Sequence, residues 1–239
     1  MIPVPDLRRR PWIVRMRWAD LLFAHWPLPP SSLRALVPPT LELETFDGQA
    51  WLGIVPFRMA DVGLRGLPSV PRLGAFAEVN VRTYVRHRGR SGVWFLSLDA
   101  ASRPTVEGAR AFFHLPYLRA DMSVELDGEA VEFRSRRADP RGRPAHIDIR
   151  YRPTGRPERA APGTLEAWLT DRLRVFSVDR EGRVRRTEVQ HAAWQLQPAE
   201  AQLRSESVAL ALDITLPPVA PHLRFSRSLD VRAWLPRPV

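Results

Sequence analysis

The sequence predicts an α+β protein dominated by antiparallel sheet. Three observations predict it: short segments of alternating polar and apolar residues recur along the chain, tight-turn residues separate them, and the helical stripes are few and short. At 239 residues, with 44% hydrophobic and 26% charged side chains, there is apolar material for one large β-rich domain or two small ones. No internal repeat or low-complexity linker forces a division. The expected organisation is therefore an N-terminal arm, 1–17, followed by a single domain, 18–239.

The elements follow in order. Trp18, Leu21, Leu22 and Trp26 recur at a helical spacing that Pro27, Pro29 and Pro30 end, so the spacing predicts a helix there. Ser31 is expected to cap a short helical turn through Leu36. Leu41 to Phe46 alternates, Asp47-Gly48 supplies a turn, and Ala50 to Met59 returns as its hairpin partner. A Gly- and Pro-rich loop, Asp61 to Gly74, leads to the strand Glu78 to Val85, and Arg88-Gly89-Arg90 turns into a central strand, Gly92 to Ala100. Ser102 and Pro104 open a short helix that runs to about Phe113 and breaks at Leu115-Pro116. Strands Val131 to Arg137 and His146 to Arg152 follow, the second with Ile147, Ile149 and Tyr151 inward and Asp148, Arg150 and Arg152 outward. Thr164 caps a helix with Leu165, Trp168, Leu169 and Leu173 on one side. A hairpin, Arg174 to Val178 and Val184 to Gln190, turns at Asp179 to Gly182. The remainder reads as a helix, Pro198 to Glu206, a strand, Val208 to Leu216, and one last short strand in the tail.

Composition excludes whole chemistries. All 36 basic residues are arginine and there is no cysteine. Without a side-chain amine the protein forms no Schiff base with a carbonyl or pyridoxal compound. Without a thiol it forms no thioester, disulfide or thiolate metal site. The six histidines, His25, His87, His114, His146, His191 and His222, are scattered without a ligand motif, so no metal site is expected. Nucleotide-binding glycine loops and the Gly-x-Ser-x-Gly elbow are absent, and no cofactor is expected. The net charge of +10 raises nucleic acid as a partner, but the arginines are dispersed over nearly every segment, against specific binding. The N-terminus lacks the apolar run of a secretory signal, and Ala19 to Leu28 is too short to cross a bilayer. The expectation is a cytoplasmic protein without a membrane partner.

The most informative strand is Glu78-Val79-Asn80-Val81-Arg82-Thr83-Tyr84-Val85. Alternation puts Glu78, Asn80, Arg82 and Tyr84 on one face, a mixed donor and acceptor set of the kind that lines a polar pocket. An ordinary solvated face is the competing explanation.

That strand, with Gly92 to Ala100, Ala109-Arg110 and His114-Leu115-Pro116-Tyr117, resembles the YqjF-like family of uncharacterised proteins. Trp18 to Trp26, Phe46 to Phe57, Thr164 to Arg172, and His191 with Trp194 fit the same pattern, so the resemblance covers most of 18–198. The family is similar in turn to acetoacetate decarboxylase. That resemblance implies a cone-like antiparallel β-barrel with a central cavity, a few short peripheral helices and, by superfamily analogy alone, a homo-oligomer. It implies that Glu78 matches the decarboxylase's cavity glutamate, Arg110 its arginine and Pro116 its proline. Tyr117 stands where the Schiff-base lysine belongs and Leu118 where the neighbouring lysine belongs, so Schiff-base decarboxylation is excluded.

The candidate ligand-binding set is Glu78, Asn80, Arg82, Arg110, His114 and Tyr117. In it Arg82 and Arg110 would hold a small anion, Glu78 would act as a base, and His114 or Tyr117 as an acid or donor. Each has a structural alternative: Glu78 ion-paired to Arg82 or Arg110, Tyr117 a core residue, His114 a helix cap. The leading expectation is binding of a small anionic organic molecule. Its rival is a lyase or hydrolase using non-covalent acid-base chemistry. His191 and Trp194 are expected to pack at the barrel mouth.

Overall fold

The computed structural model describes residues 10–67 and 75–239. The expected arm lies outside the described residues over 1–9, as does the loop Asp61 to Gly74 over 68–74. The strands, in chain order, are β1 (Val14–Leu28), β2 (Glu42–Leu43), β3 (Ala50–Leu64), β4 (Phe76–His87), β5 (Arg90–Ala100), β6 (Tyr117–Asp127), β7 (Ala130–Arg137), β8 (His146–Pro153), β9 (Arg174–Val178), β10 (Val184–His191), β11 (Gln197–Glu206), β12 (His222–Ala233) and β13 (Arg237–Pro238). The helices are α1 (Pro30–Arg34), α2 (Arg103–Gly108) and α3 (Leu165–Thr170).

The strands form one sheet in the order β13-β10-β9-β5-β6-β7-β8-β11-β12-β1-β3-β4-β2, and the added pairings β10–β12 and β5–β4 close it on itself. One closed ring runs β5-β4-β3-β1-β12-β10-β9, and β6-β7-β8-β11 arches from β5 to β12 on its other side. Pairing is antiparallel throughout except that β5 runs parallel to β6 and β9. The expected sheet-dominated α+β class is what forms.

The sheet β1-β3-β4 has two buried faces. One presents Leu22, Ala24, Trp26, Leu52, Ile54, Val79 and Val81 to Val131, Phe133, Ile147, Ile149 and Tyr151 under the arch. The other presents Leu21, Phe23, Val55 and Phe57 to Val189, Trp194, Leu229 and Val231. Between Ala19 and Ala24 the register of β1 against β3 slips, and Asp20 takes a left-handed φ of 50°. This bulge corrects the expected helix over Trp18 to Trp26. It shifts the alternation, so Trp18 and Leu21 face the same side three positions apart, which imitates a helical period. Asp20 is buried and held in place: its carboxylate accepts from Arg58 Nε at 2.8 Å and Arg227 Nη1 at 2.8 Å, and its carbonyl accepts from Tyr151 Oη at 2.7 Å.

Other elements differ from expectation for identifiable reasons. Asp47-Gly48 does make a tight turn, with φ of 50° and 76° and reciprocal Phe46–Gln49 hydrogen bonds of 2.9 and 3.1 Å, but β2 leaves it to pair with β4 rather than β3. Helix α1 begins at Pro30 with Pro29 as N-cap, not Ser31, and is closed by Arg34 donating to the carbonyls of Val37, Pro38 and Leu41. The segment Pro198 to Glu206 is strand β11, not a helix. Its residues are good helix formers, but the open edge of β8 pairs with it, and tertiary pairing overrides weak intrinsic preference. Val208 to Leu216 is a loop with one 3₁₀ turn, Leu210–Leu212, whose Val208, Ala209 and Ile214 plug the core under the arch instead of forming a strand. Strand β6 has no sequence expectation behind it, and the tail strand is long, because β12 pairs with β1 over nearly its whole length. The capped starts of α2 and α3 form as expected: Ser102 Oγ accepts from Thr105 N and Thr164 Oγ1 from Ala167 N, each at 3.4 Å.

The arginines are largely answered by acids. On the outer face of β7 and β8, Glu132 accepts from Arg150 at 2.6 Å and Arg204 at 2.7 Å, which holds its carboxyl down at about 2.

Candidate functional site

Strand β4 builds the site. Its register against β3 is unbroken from Gly53↔Arg82 to Met59↔Phe76, so Glu78, Asn80 and Arg82 share a face with Phe57, Val55 and Gly53. That face is interior: Glu78 is 2% exposed, Asn80 5% and Tyr84 0%. Alternation and closure together bury Glu78, Asn80 and Tyr84 and partly bury Arg82, which excludes the solvated-face explanation.

Glu78 and Tyr117 meet across β5. Leu98 pairs with both Asn80 and Tyr117, which carries the Tyr117 side chain back toward β4, and its Oη donates to Glu78 Oε2 at 3.0 Å. Burial pushes the Glu78 carboxyl up to about 8. The charge of nearby Asp99 adds to this, while the Tyr117 hydrogen bond opposes it. Burial, with the adjacent Glu78 charge, drives the Tyr117 phenol well above its ordinary value. Asp99 itself is raised to about 6 by burial despite its ion pair with buried Arg137, Nη2 to Oδ1 at 3.0 Å. Glu78 therefore has a hydroxyl partner rather than the arginine partner its structural alternative requires, and at neutral pH it is a carboxylic acid that can donate.

The remaining expected residues separate. Helix α2 continues into a π-helical turn, Ala109–Phe113, where Arg110 Nη1 donates to the backbone carbonyl of Tyr117 at 2.9 Å. His114 takes a left-handed φ of 55° as the C-cap of that turn, its backbone N–H directed at Ala109, which is the capping geometry of its structural alternative. Asn80 Oδ1 is buried without a partner.

Arg82 enters a second group. Its Cζ lies 5.2 Å from the Phe23 ring centroid and 5.7 Å from that of Tyr84, and its Nε is buried without a hydrogen-bond partner. Tyr84 Oη and His25 Nε2 are 2.6 Å apart. Burial, then the charges of Arg82 and His222, push His25 well below its ordinary value, so it stays neutral. Arg172 stands 5.0 Å from Tyr84 and 4.5 Å from Trp168, donates to Glu44 through Nη1 and to the Trp168 carbonyl through Nε at 2.6 Å. Glu44 also accepts from Arg86 at 2.9 Å and Ser91 at 2.7 Å. Among the described residues no carboxylate lies within ion-pair distance of Arg82. His25, Glu44 and Arg172 come from three distant segments; His25 and Arg172 lie in stretches that fit the family pattern, but no spacing joins the three. The one available signal was a histidine inside the apolar stretch Ala19 to Leu28.

His191 and Trp194 pack with Trp18, centroids 6.1 and 5.8 Å from it, while Trp194 meets Phe23 edge-on at 4.9 Å and donates to the Thr170 carbonyl at 3.0 Å. Among the described residues no group of three or more His, Cys, Asp or Glu is arranged to hold a metal ion, and no helix is long and apolar enough to cross a membrane.

Comparison with known proteins extends over the whole chain. Among solved structures, acetoacetate decarboxylase from Legionella pneumophila matches with a TM-score of 0.65 at 14% identity, covering 100% of this chain and 93% of that one. The enduracididine biosynthesis enzyme MppR, complexed with the condensation product of pyruvate and imidazole 4-carboxaldehyde, matches at 0.65 and 11% identity, covering 99% and 94%. An acetoacetate decarboxylase-like enzyme from Sphingomonas wittichii RW1 matches at 0.64 and 12%, covering 100% and 98%. These establish the fold. At the sequence level the chain is 43% identical over 233 residues to the uncharacterized protein YqjF of Bacillus subtilis strain 168, 98% of this chain and 94% of that protein. Residues 15–230 match the family DUF2071, an uncharacterized conserved protein. The chain thus belongs to this YqjF-like family of uncharacterised proteins and carries it on an acetoacetate decarboxylase-like fold.

Proposed function

We propose that the strand ring is a cone-like barrel whose interior takes a small anionic organic molecule, with Glu78, Asn80, Arg82 and Tyr117 facing it. The observation that carries this is the pairing of opposites on β4: Arg82, with no carboxylate within ion-pair distance among the described residues, stands four residues from the buried Glu78 carboxyl, whose pKa burial raises to about 8. A ligand carboxylate would answer Arg82, and the protonated Glu78 or the Tyr117 hydroxyl would donate to an oxygen further along it. The structural neighbour MppR, solved with a pyruvate condensation product, is consistent with an organic ligand in this fold. Schiff-base chemistry stays excluded, since no lysine exists in the chain.

The test is native mass spectrometry of gently purified protein, followed by thermal-shift screening with small carboxylates and phosphates. Stabilisation that Arg82→Ala abolishes, with the fold retained by circular dichroism, is the expected outcome. Equal stabilisation of both proteins refutes the assignment.

The raised pKa of Glu78 also supports the acid-base reading, in which Glu78 and Tyr117 transfer a proton without a covalent intermediate. It predicts a turnover that Glu78→Gln lowers by roughly 10²-fold or more. Unchanged rates would end it.

A further inference from the structure

The interior holds a second guanidinium beside Arg82, outside the candidate binding set. Arg172, 8% exposed, follows α3 directly and reaches the same Tyr84 ring. Two of its nitrogens are engaged, Nη1 by Glu44 and Nε by the Trp168 carbonyl, while Nη2 is buried with no partner. Arg82 offers its unpartnered Nε from β4. Two unfilled donors on two cations, with neutral His25 behind the phenol of Tyr84, form an incomplete site, because a buried donor without an acceptor is destabilising.

We propose that Arg172 is the second arm of the anion site: Arg82 and Arg172 together bind the head of a singly charged carboxylate at the Tyr84 ring, a proposal that rests on the interior-binding function above. Charge and donor number select this class. Glu44 is shared by Arg172 and Arg86, but Arg86 is half exposed and solvated, so the interior balance is Arg82 and Arg172 against Glu44, which leaves one charge unanswered. Two open donors suit the two oxygens of a carboxylate. A phosphate would bring a second charge and a third oxygen with nothing to receive them.

Binding of butyrate and of inorganic phosphate to the full-length protein is compared by calorimetry in wild type, Arg82→Ala and Arg172→Lys. Lysine keeps the charge beside Glu44 but removes the planar fork. The expected result is butyrate tighter than phosphate in wild type, and a loss of about tenfold or more on losing either guanidinium. Arg172→Lys binding butyrate like wild type, while Arg82→Ala does not, overturns the second arm and leaves interior binding intact. No butyrate or phosphate response that depends on Arg82 overturns both. Phosphate binding tighter than butyrate overturns the singly charged class. Should Arg172→Lys fail to fold, the side-chain N–H resonances of Arg172 in the unaltered protein give the same decision. Their displacement by butyrate is expected, and unmoved signals overturn the proposal.

Discussion

Both faces of the β1-β3-β4 sheet are packed with apolar side chains from β1 and β3, and they differ in what β4 adds to each. Under the arch, Val79 and Val81 meet Phe133, Ile147 and Ile149, and Ser135, buried on the same face of β7, leaves its Oγ without a partner. One residue away from the two valines on β4, Glu78, Asn80 and Arg82 face the ring, where Asn80 Oδ1 and Arg82 Nε are left without partners. Alternation thus gives one strand an apolar side for the arch and a polar side for the ring, and the polar side carries the larger unmet demand, an amide oxygen and a guanidinium nitrogen against one hydroxyl. The unfilled side is where a ligand would restore what folding leaves unsatisfied.

That contrast can be broken by mutation. Phe133→Ala, in the fully buried arch, is expected to cost about 3–5 kcal/mol in urea unfolding while leaving any anion response unchanged. A loss under about 1 kcal/mol would show the arch to be loosely packed. On the polar face, Tyr117→Phe leaves buried Glu78 short of a donor and should cost about 1–3 kcal/mol above pH 8. Because the hydrogen bond lowers the Glu78 pKa, its removal should also move the Glu78 titration upward, observable in the pH dependence of unfolding.

The same carboxyl sharpens the comparison through pH. Its folded pKa, about 8, lies above the ordinary 4.5, so the fold holds a proton there that the unfolded chain releases. The stability linked to that proton is present below pH 4.5 and is lost as pH rises through 8. Melting temperature should therefore fall between pH 6 and pH 9 in the wild type and fall much less in Glu78→Gln. Parallel curves would show that Glu78 does not titrate in this range. The smallest effect belongs to the outside: Arg152→Ala, which removes an exposed pair with Glu200, should change stability by under about 1 kcal/mol, and that difference should shrink in high salt.

The legible part of this protein was local. Alternation identified β4 and its polar row, turn chemistry identified Asp47-Gly48 and the Asp179 to Gly182 hairpin, and hydroxyl caps identified the starts of α2 and α3. The Glu78–Tyr117 contact was accessible through the family pattern, which places a tyrosine at the lysine position. What stayed hidden depended on partners far along the chain. β11 is a strand because β8 offers it an edge, and Arg172 reaches Tyr84 because the ring closes. His114 and Arg110, close to Tyr117 in sequence, stabilise the turn that presents it rather than joining Arg82.

The extra residue at Asp20 has a mechanical consequence. There β1 carries one residue more than β3 while its register with β12 runs unbroken, so the extra residue is taken up against β3 alone. At that level the Asp20 carboxylate accepts from Arg58 of β3 and from Arg227 of β12, so one buried side chain fastens β1 to both of its neighbours. The bulge is thus a clamp across three strands, set just before the stretch of β1 that brings Phe23 and His25 beside Arg82 and Tyr84.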